Sequence, residues 1–172
     1  WVIAGEVHHD DSSGETGLVR GGQVQAMSAG SGVNHREQNP RATGVVARVI
    51  QMWLPPNEPG GEPEYRTADV PLDGRGLVLV ASGMAGRDPA VAINNDAAAL
   101  HAARLAVGES VVLPAAPYGH LFVVSGAVAV GDDRLGEGDA LRTVHTGART
   151  ATATEPAEIL FWEMHAQAVS AR

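Results

Sequence analysis

The run Ala29-Gly30-Ser31-Gly32-Val33-Asn34-His35-Arg36-Glu37 sets an imidazole and a carboxylate two residues apart, just after a glycine-rich turn. Side chains alternate along an extended strand, so His35 and Glu37 would share a side. A nitrogen and an oxygen donor pointing together into a β-barrel suit a borderline or hard divalent metal. The chain has no cysteine, which removes disulfides, thiolate nucleophiles and sulfur-built zinc sites, and turns the choice away from copper(I) toward iron, manganese, nickel or cobalt. Lysine is absent as well, since all twelve basic residues are arginine, so neither a Schiff base nor a P-loop is available. There is no G-x-S-x-G elbow; Ala81-Ser82-Gly83-Met84 has the wrong spacing.

The remaining histidines read less specifically. His8 and His9 are adjacent, face opposite ways on a strand and cannot both enter one site. His8 is expected in solvent, and His9 is expected to hydrogen-bond within a hairpin turn. His101 and His165 read as isolated polar positions, and His120, close to the glycine of a second barrel, reads as a satisfied histidine, with facing that barrel's cavity as the alternative. Gln51 is either a buried amide serving a neighbouring backbone or a donor behind the metal site. Trp53 and Trp162 read as core packing.

The elements that must carry these groups are strands. VIAGEV, GVVARVIQMW, GLVLVAS, ESVVLP, LFVVSGAVAV and AEILFWEMH are short, β-branched and bracketed by glycine or proline. Only NDAAALHAARL, Asn95 to Leu105, could be helical, and its pattern leaves helix and strand both open. The chain also repeats itself. WVIAGEV from Trp1 aligns with FVVSGAV from Phe122, and each is followed by a polar turn and a glycine-led strand, VRGGQVQAMSAG and LGEGDALRTVHTG. Two copies of one small barrel are expected. Between them, Leu54 to Gly76 holds five prolines and four glycines and is expected to lack regular structure. The expected division is a first barrel over 1–66, a linker over 67–76 and a second barrel over 77–172. The opening Trp1 reads as mid-strand, so the first barrel is expected to be truncated at its start.

Length and composition bound the rest. The chain has 172 residues, 44% of them hydrophobic and 19% charged, enough for one large or two small cores. A net charge of −8 with scattered arginines argues against a nucleic-acid surface. No apolar run approaches the length of a membrane span.

Several motifs together resemble the pirin family, nearest to the bacterial pirin-like proteins described as quercetin 2,3-dioxygenases. His9, Asp11, Ser12 and Gly14 match an H-x-D-S-x-G turn. Met27, Ser28, Ala29, Gly30, Gly32, His35 and Glu37 match M-(S/T)-A-G-x-G-x-x-H-x-E. Gln51 and Trp53 match Q-x-W, and Pro63 and Tyr65 match E-P-x-Y with Glu62 or Glu64. The resemblance implies an all-β bicupin, with one metal held in the N-terminal barrel by three histidines and a glutamate. His35 and Glu37 would be two of those ligands, and an H-P-H segment upstream of Trp1 would supply the other two. With only two ligands, the chain would hold a metal poorly. The second barrel, which has Val112 and Pro114 at the matching positions and no H-x-E after Gly147, would be metal-free.

Two functions follow from this likeness. The first is a metal-dependent dioxygenase acting on a flavonol or similar phenol with O2. Iron(II) is the leading metal, with manganese, nickel, cobalt and copper(II) as alternatives, and Glu37 would be both ligand and base. The alternative is a non-enzymatic, redox-responsive module that binds a partner protein, a role ascribed to animal members of the family. The expected protein is cytoplasmic and monomeric, without direct nucleic-acid or membrane partners.

Overall fold

The computed structural model describes residues 1–40, 44–74 and 76–166. Arg75, inside the expected linker, and the end of the expected second barrel lie outside the described residues. The described elements are all strands, in two compact units. Unit 1 runs from Trp1 to Pro71 and takes in Ala90–Asn95; unit 2 comprises Leu72–Pro89 and the chain from Asp96 onward. Among the described residues no helix is long and apolar enough to cross a membrane.

Unit 1 is built from β1 (Val2–Ala4), β2 (Glu6–Asp11), β3 (Thr16–Arg20), β4 (Gln23–Ser28), β5 (His35–Gln38), β6 (Arg48–Val49), β7 (Glu64–Asp69) and β9 (Val91–Ala92). They pair as β1 with β6, as β3-β2-β5, and as β4 with β7. Trp1, Val2, Val19, Val24, Val70 and Val91 form its small buried apolar set. The proline-rich stretch is only partly irregular. Glu64–Asp69 forms a strand that pairs along the whole of β4, because no proline falls between Pro63 and Pro71. Trp53 is 89% exposed and does not pack in a core.

Unit 2 holds β8 (Val78–Ser82), β10 (Ala98–Leu105), β11 (Ser110–Leu113), β12 (Tyr118–Ser125), β13 (Ala127–Val130), β14 (Asp133–Gly136), β15 (Ala140–Val144), β16 (Arg149–Ala153) and β17 (Ala157–Met164). One sheet has the order β15-β12-β17-β10-β8 and the other β11-β16-β13-β14. Leu105, Val111, Leu113, Leu121, Val123, Val128, Val130, Ile159 and Phe161 fill the core. Each such burial is favourable by about 1.5–3 kcal/mol. The alanine-rich run that could have been helical is strand β10, hydrogen-bonded on both sides to β8 and β17. Sheet pairing on two edges overrides the helical preference of its alanines. Gly131 and Asp132 make the turn between β13 and β14, and Asp133 and Arg134 already pair with β13.

The repeat has a structural signature. Gly5 and Gly126 sit at corresponding points with φ of 73° and 72°. A side chain at Gly5 would meet the Val46 carbonyl and Ala47, and one at Gly126 would meet the Pro156 carbonyl and Ala157. The backbone bond from Gly22 N–H to the Val2 carbonyl recurs as Gly138 N–H to the Val123 carbonyl. In the repeat, β5 of unit 1 therefore corresponds to β16 of unit 2.

His101 and His165 are not isolated. Glu163, 2% exposed, accepts hydrogen bonds from His101 Nε2 at 2.9 Å, Arg87 at 2.9 Å and His165 Nε2 at 2.8 Å. His120 shares its strand face with Phe122 and Val124, away from the core residues Leu121 and Val123. Burial, and then the Arg142 charge, lower its pKa.

Two stability measurements check this reading. Gly126→Ala should cost at least about 2 kcal/mol, since a left-handed backbone alone costs roughly 1–2 kcal/mol for an alanine and here a carbonyl blocks the new carbon. Gly138→Ala, which has the same backbone sign but open space, should lose only the conformational part in the same denaturant titration. For Glu163, burial alone would raise the carboxyl, but His165, His101 and Arg87 outweigh it and hold it below its ordinary 4.5. That contribution is fully present above the unfolded value and fades as pH falls through the lower folded one. Glu163→Gln should cost about 3 kcal/mol near neutrality, with the gap to the unsubstituted protein closing below pH 4.5.

Candidate metal centre

Strands β2 and β5 run antiparallel with His9 opposite Glu37 and Asp11 opposite His35. Residues directly opposed across a ladder share a face, and period two adds their i+2 neighbours to it. Four polar groups thus gather on one side of two short strands. One ligand atom each from His9, His35 and Glu37 lies within 4.8 Å of the others. The two imidazole rings are 5.6 Å apart and tilted by 59°.

His9 is the group that sequence reasoning underrated. It does make the expected hairpin bond, from Nε2 to Asp11 Oδ2 at 3.1 Å. Yet it is completely buried, and its other nitrogen faces the cluster. Asp11 also accepts from Ser13 Oγ at 2.6 Å, Ser13 N at 2.9 Å and Glu15 N at 3.1 Å. The Ser13 hydroxyl first, and His9 next, hold the Asp11 carboxyl well below the usual carboxylate range. An ionised carboxylate only accepts, so Nε2 carries a proton. Nδ1 is left buried without a hydrogen-bond partner, 3.8 Å from Glu37 Oε1.

A buried nitrogen left unpaired costs roughly 1–3 kcal/mol. A divalent cation between the three groups would use that lone pair, and the Asp11–His9 bond is the kind of outer support that orients a metal-bound imidazole. Two imidazole nitrogens and one carboxylate oxygen form a donor set suited to iron(II) and its neighbours. The residues fit a divalent metal. His35 and Glu37 are exposed at the strand surface, with the Glu37 side chain at 30%, so the cluster has a buried inner wall and an open outer side.

Two further residues brace this wall. The Tyr65 ring stacks on His9, with centroids 4.2 Å apart and planes 15° from parallel. Gly17, opposite His9 on β3, makes room for it, because a side-chain carbon there would lie 2.5 Å from the Tyr65 hydroxyl. That hydroxyl donates to Gln25 Oε1 at 2.9 Å, and Gln25 Nε2 donates to Glu37 Oε1. Gln51 is exposed after β6, with no hydrogen bond to the cluster among the described residues. His8 points outward, 3.7 Å from Asp10.

Known proteins resemble this chain along most of its length. The pirin family profile matches residues 1–54, and the profile of the quercetinase C-terminal cupin domain matches 79–164. A Mycobacterium tuberculosis protein named "Putative quercetin 2,3-dioxygenase" is 44% identical over 170 residues, which cover 97% of this chain and 69% of that protein. The chain belongs to the pirin family. The crystal structure of a bacterial pirin from Escherichia coli, in complex with nickel(II), matches with a TM-score of 0.85 at 30% identity, over 97% of this chain and 71% of that one. A quercetin 2,3-dioxygenase structure from Acinetobacter baumannii shares the fold, with a TM-score of 0.73 at 24% identity over 95% and 62% of the two chains. The architecture is therefore a bicupin, and the pirin match falls on the copy that holds the His9, His35 and Glu37 cluster.

In this pirin-family chain Asp11 should matter to metal binding without touching the metal. Asp11→Asn keeps the size of the side chain but offers His9 a weaker, neutral acceptor. Nickel(II) affinity, measured by calorimetry, should fall 10- to 100-fold, as it does on loss of other outer-shell partners.

Proposed function

We propose that the intact protein is a metal-dependent dioxygenase acting on a flavonol or a similar enolic phenol. The supporting observation is the cluster itself: two imidazoles and a carboxylate converge, and the buried His9 nitrogen has no other partner. The names of the relatives agree in kind with this reading. Iron(II) is the proposed metal, although the donor set also accepts manganese, nickel, cobalt and copper(II).

His35 and Glu37 hold the metal, together with the histidine pair that the family resemblance places before Trp1. His9 is the third group of this chain whose nitrogen reaches the same centre. When bound, the metal supplies Lewis-acid activation of the substrate hydroxyl and a redox-active centre for dioxygen. Glu37, on the open side of the cluster, accepts the hydroxyl proton. Asp11 takes the hydrogen bond of His9 Nε2, which leaves Nδ1 as the nitrogen turned toward the cluster. Burial, followed by the charges of Glu37, Asp11 and Glu15, pushes the Tyr65 phenol up to about 12, so it remains a hydrogen-bond donor and takes no proton from substrate.

The test is flavonol decay followed by absorbance with the full-length protein. Glu37→Gln should slow turnover by about 100-fold or more, the usual worth of a positioned base, and His35→Ala and metal-stripped protein should be inactive. Equal decay in all preparations would refute the enzyme. Tight metal binding with no decay at all would favour the redox-responsive binding module.

A further inference from the structure

We infer that Gln25 is a positioning residue for the Glu37 carboxylate, with Tyr65 fixing which end of the Gln25 amide faces it. The inference rests on the metal-centre reading and adds to it a residue outside the ligand set.

A glutamine side chain can present either its oxygen or its nitrogen, and its neighbours decide which. Here the decision is made by the Tyr65 hydroxyl, which donates to Gln25 Oε1 at 2.9 Å. The amide nitrogen is thereby turned toward Glu37 and donates to its Oε1. Tyr65 cannot easily give way. Its ring is stacked on buried His9, its hydroxyl occupies space that only Gly17 leaves open, and its backbone is paired with Met27 on β4. Gln25 stands two residues before Met27 on the same strand and face. The order runs from a packed ring, through an amide, to a carboxylate.

The consequence falls on Glu37. Its terminal torsion is broad and roughly two-fold, so an unrestrained carboxylate would turn freely. The Gln25 bond ties down Oε1, the oxygen nearer His9, and leaves Oε2 without a hydrogen bond among the described residues. One oxygen is anchored and one is presented. A carboxylate held in this way offers a single oxygen to a metal or to a proton, and pays less entropy on binding.

The experiment uses the full-length protein, with nickel(II) affinity read by calorimetry and cobalt(II) ligand-field absorption read in the visible. Gln25→Ala should weaken nickel binding 10- to 100-fold and shift the cobalt bands. Tyr65→Phe, which keeps the stacked ring and removes only the donor, should do the same to a smaller degree. The double variant should be no worse than Gln25→Ala alone, because both act through one bond to Glu37. Thermal melting of the metal-free variants within a few degrees of the parent would place the effect at the site rather than in the fold. Unchanged affinity and spectra in both single variants would overturn the inference, and so would fully additive losses. Glu37→Ala separates the two levels. If it binds nickel as the parent does, the metal-centre reading falls and this inference with it. If it loses nickel while Gln25→Ala does not, only the positioning role falls.

Discussion

The pairing register of two short strands governs everything the first unit can do. With His9 opposite Glu37 and Asp11 opposite His35, four polar side chains meet on one face. A slip of β5 by one residue would send His35 and Glu37 to the other side and leave His9 and Asp11 behind, because strand side chains alternate. The ladder alone does not protect that register, since β5 is exposed along its length and, among the described residues, has β2 as its only strand partner. What fixes it are the bonds at the turn: Ser12 N–H to the Asn34 carbonyl, Asn34 N–H to Ser12 Oγ, and the hairpin bonds of Asp11. The H-x-D-S-x-G turn is thus a device for registering one strand against another as well as a bend.

The two copies of the repeat show how one frame is put to two uses. Gly5 and Gly126 make the same left-handed corner against a carbonyl, and this constraint is backbone geometry that no side chain can replace. The strands that follow then diverge. Where unit 1 sets His9 opposite Glu37, unit 2 sets Val130 opposite Ala151, both buried in a continuous apolar core. The second copy uses this face for packing, and the first uses it for a cluster of polar donors.

Much of this was legible in the residues. The strand character, the duplication and the shared side of His35 and Glu37 all follow from period-two alternation and glycine placement. Cross-strand neighbours were not legible. His9 reads as a turn residue until β5 is laid beside β2, and Gln25 has no local pattern that marks it. Gln51 drew attention because it follows the H-x-E motif, yet the bond to Glu37 comes from an earlier strand. Trp53 was misjudged on size alone, and residues 64–69 on the prolines that flank them. In each case a property of one segment stood in for a contact between two.

The protein also contains its own comparison for the central argument. Glu163 is as thoroughly buried as His9, and the fold surrounds it with three donors from Arg87, His101 and His165. Nothing about that carboxylate is left over, which is how a structural polar group is accommodated. His9 is treated differently. One nitrogen is secured by an ionised aspartate, the ring is clamped by Tyr65, and the other nitrogen is left facing a carboxylate and a second imidazole. Leaving that atom unpaired costs stability that a simple change of residue could recover, and the surrounding bonds make the cost larger by forbidding the ring to turn. The fold satisfies one buried charge three times over, yet holds another buried nitrogen without a partner at the point where an imidazole and a carboxylate converge.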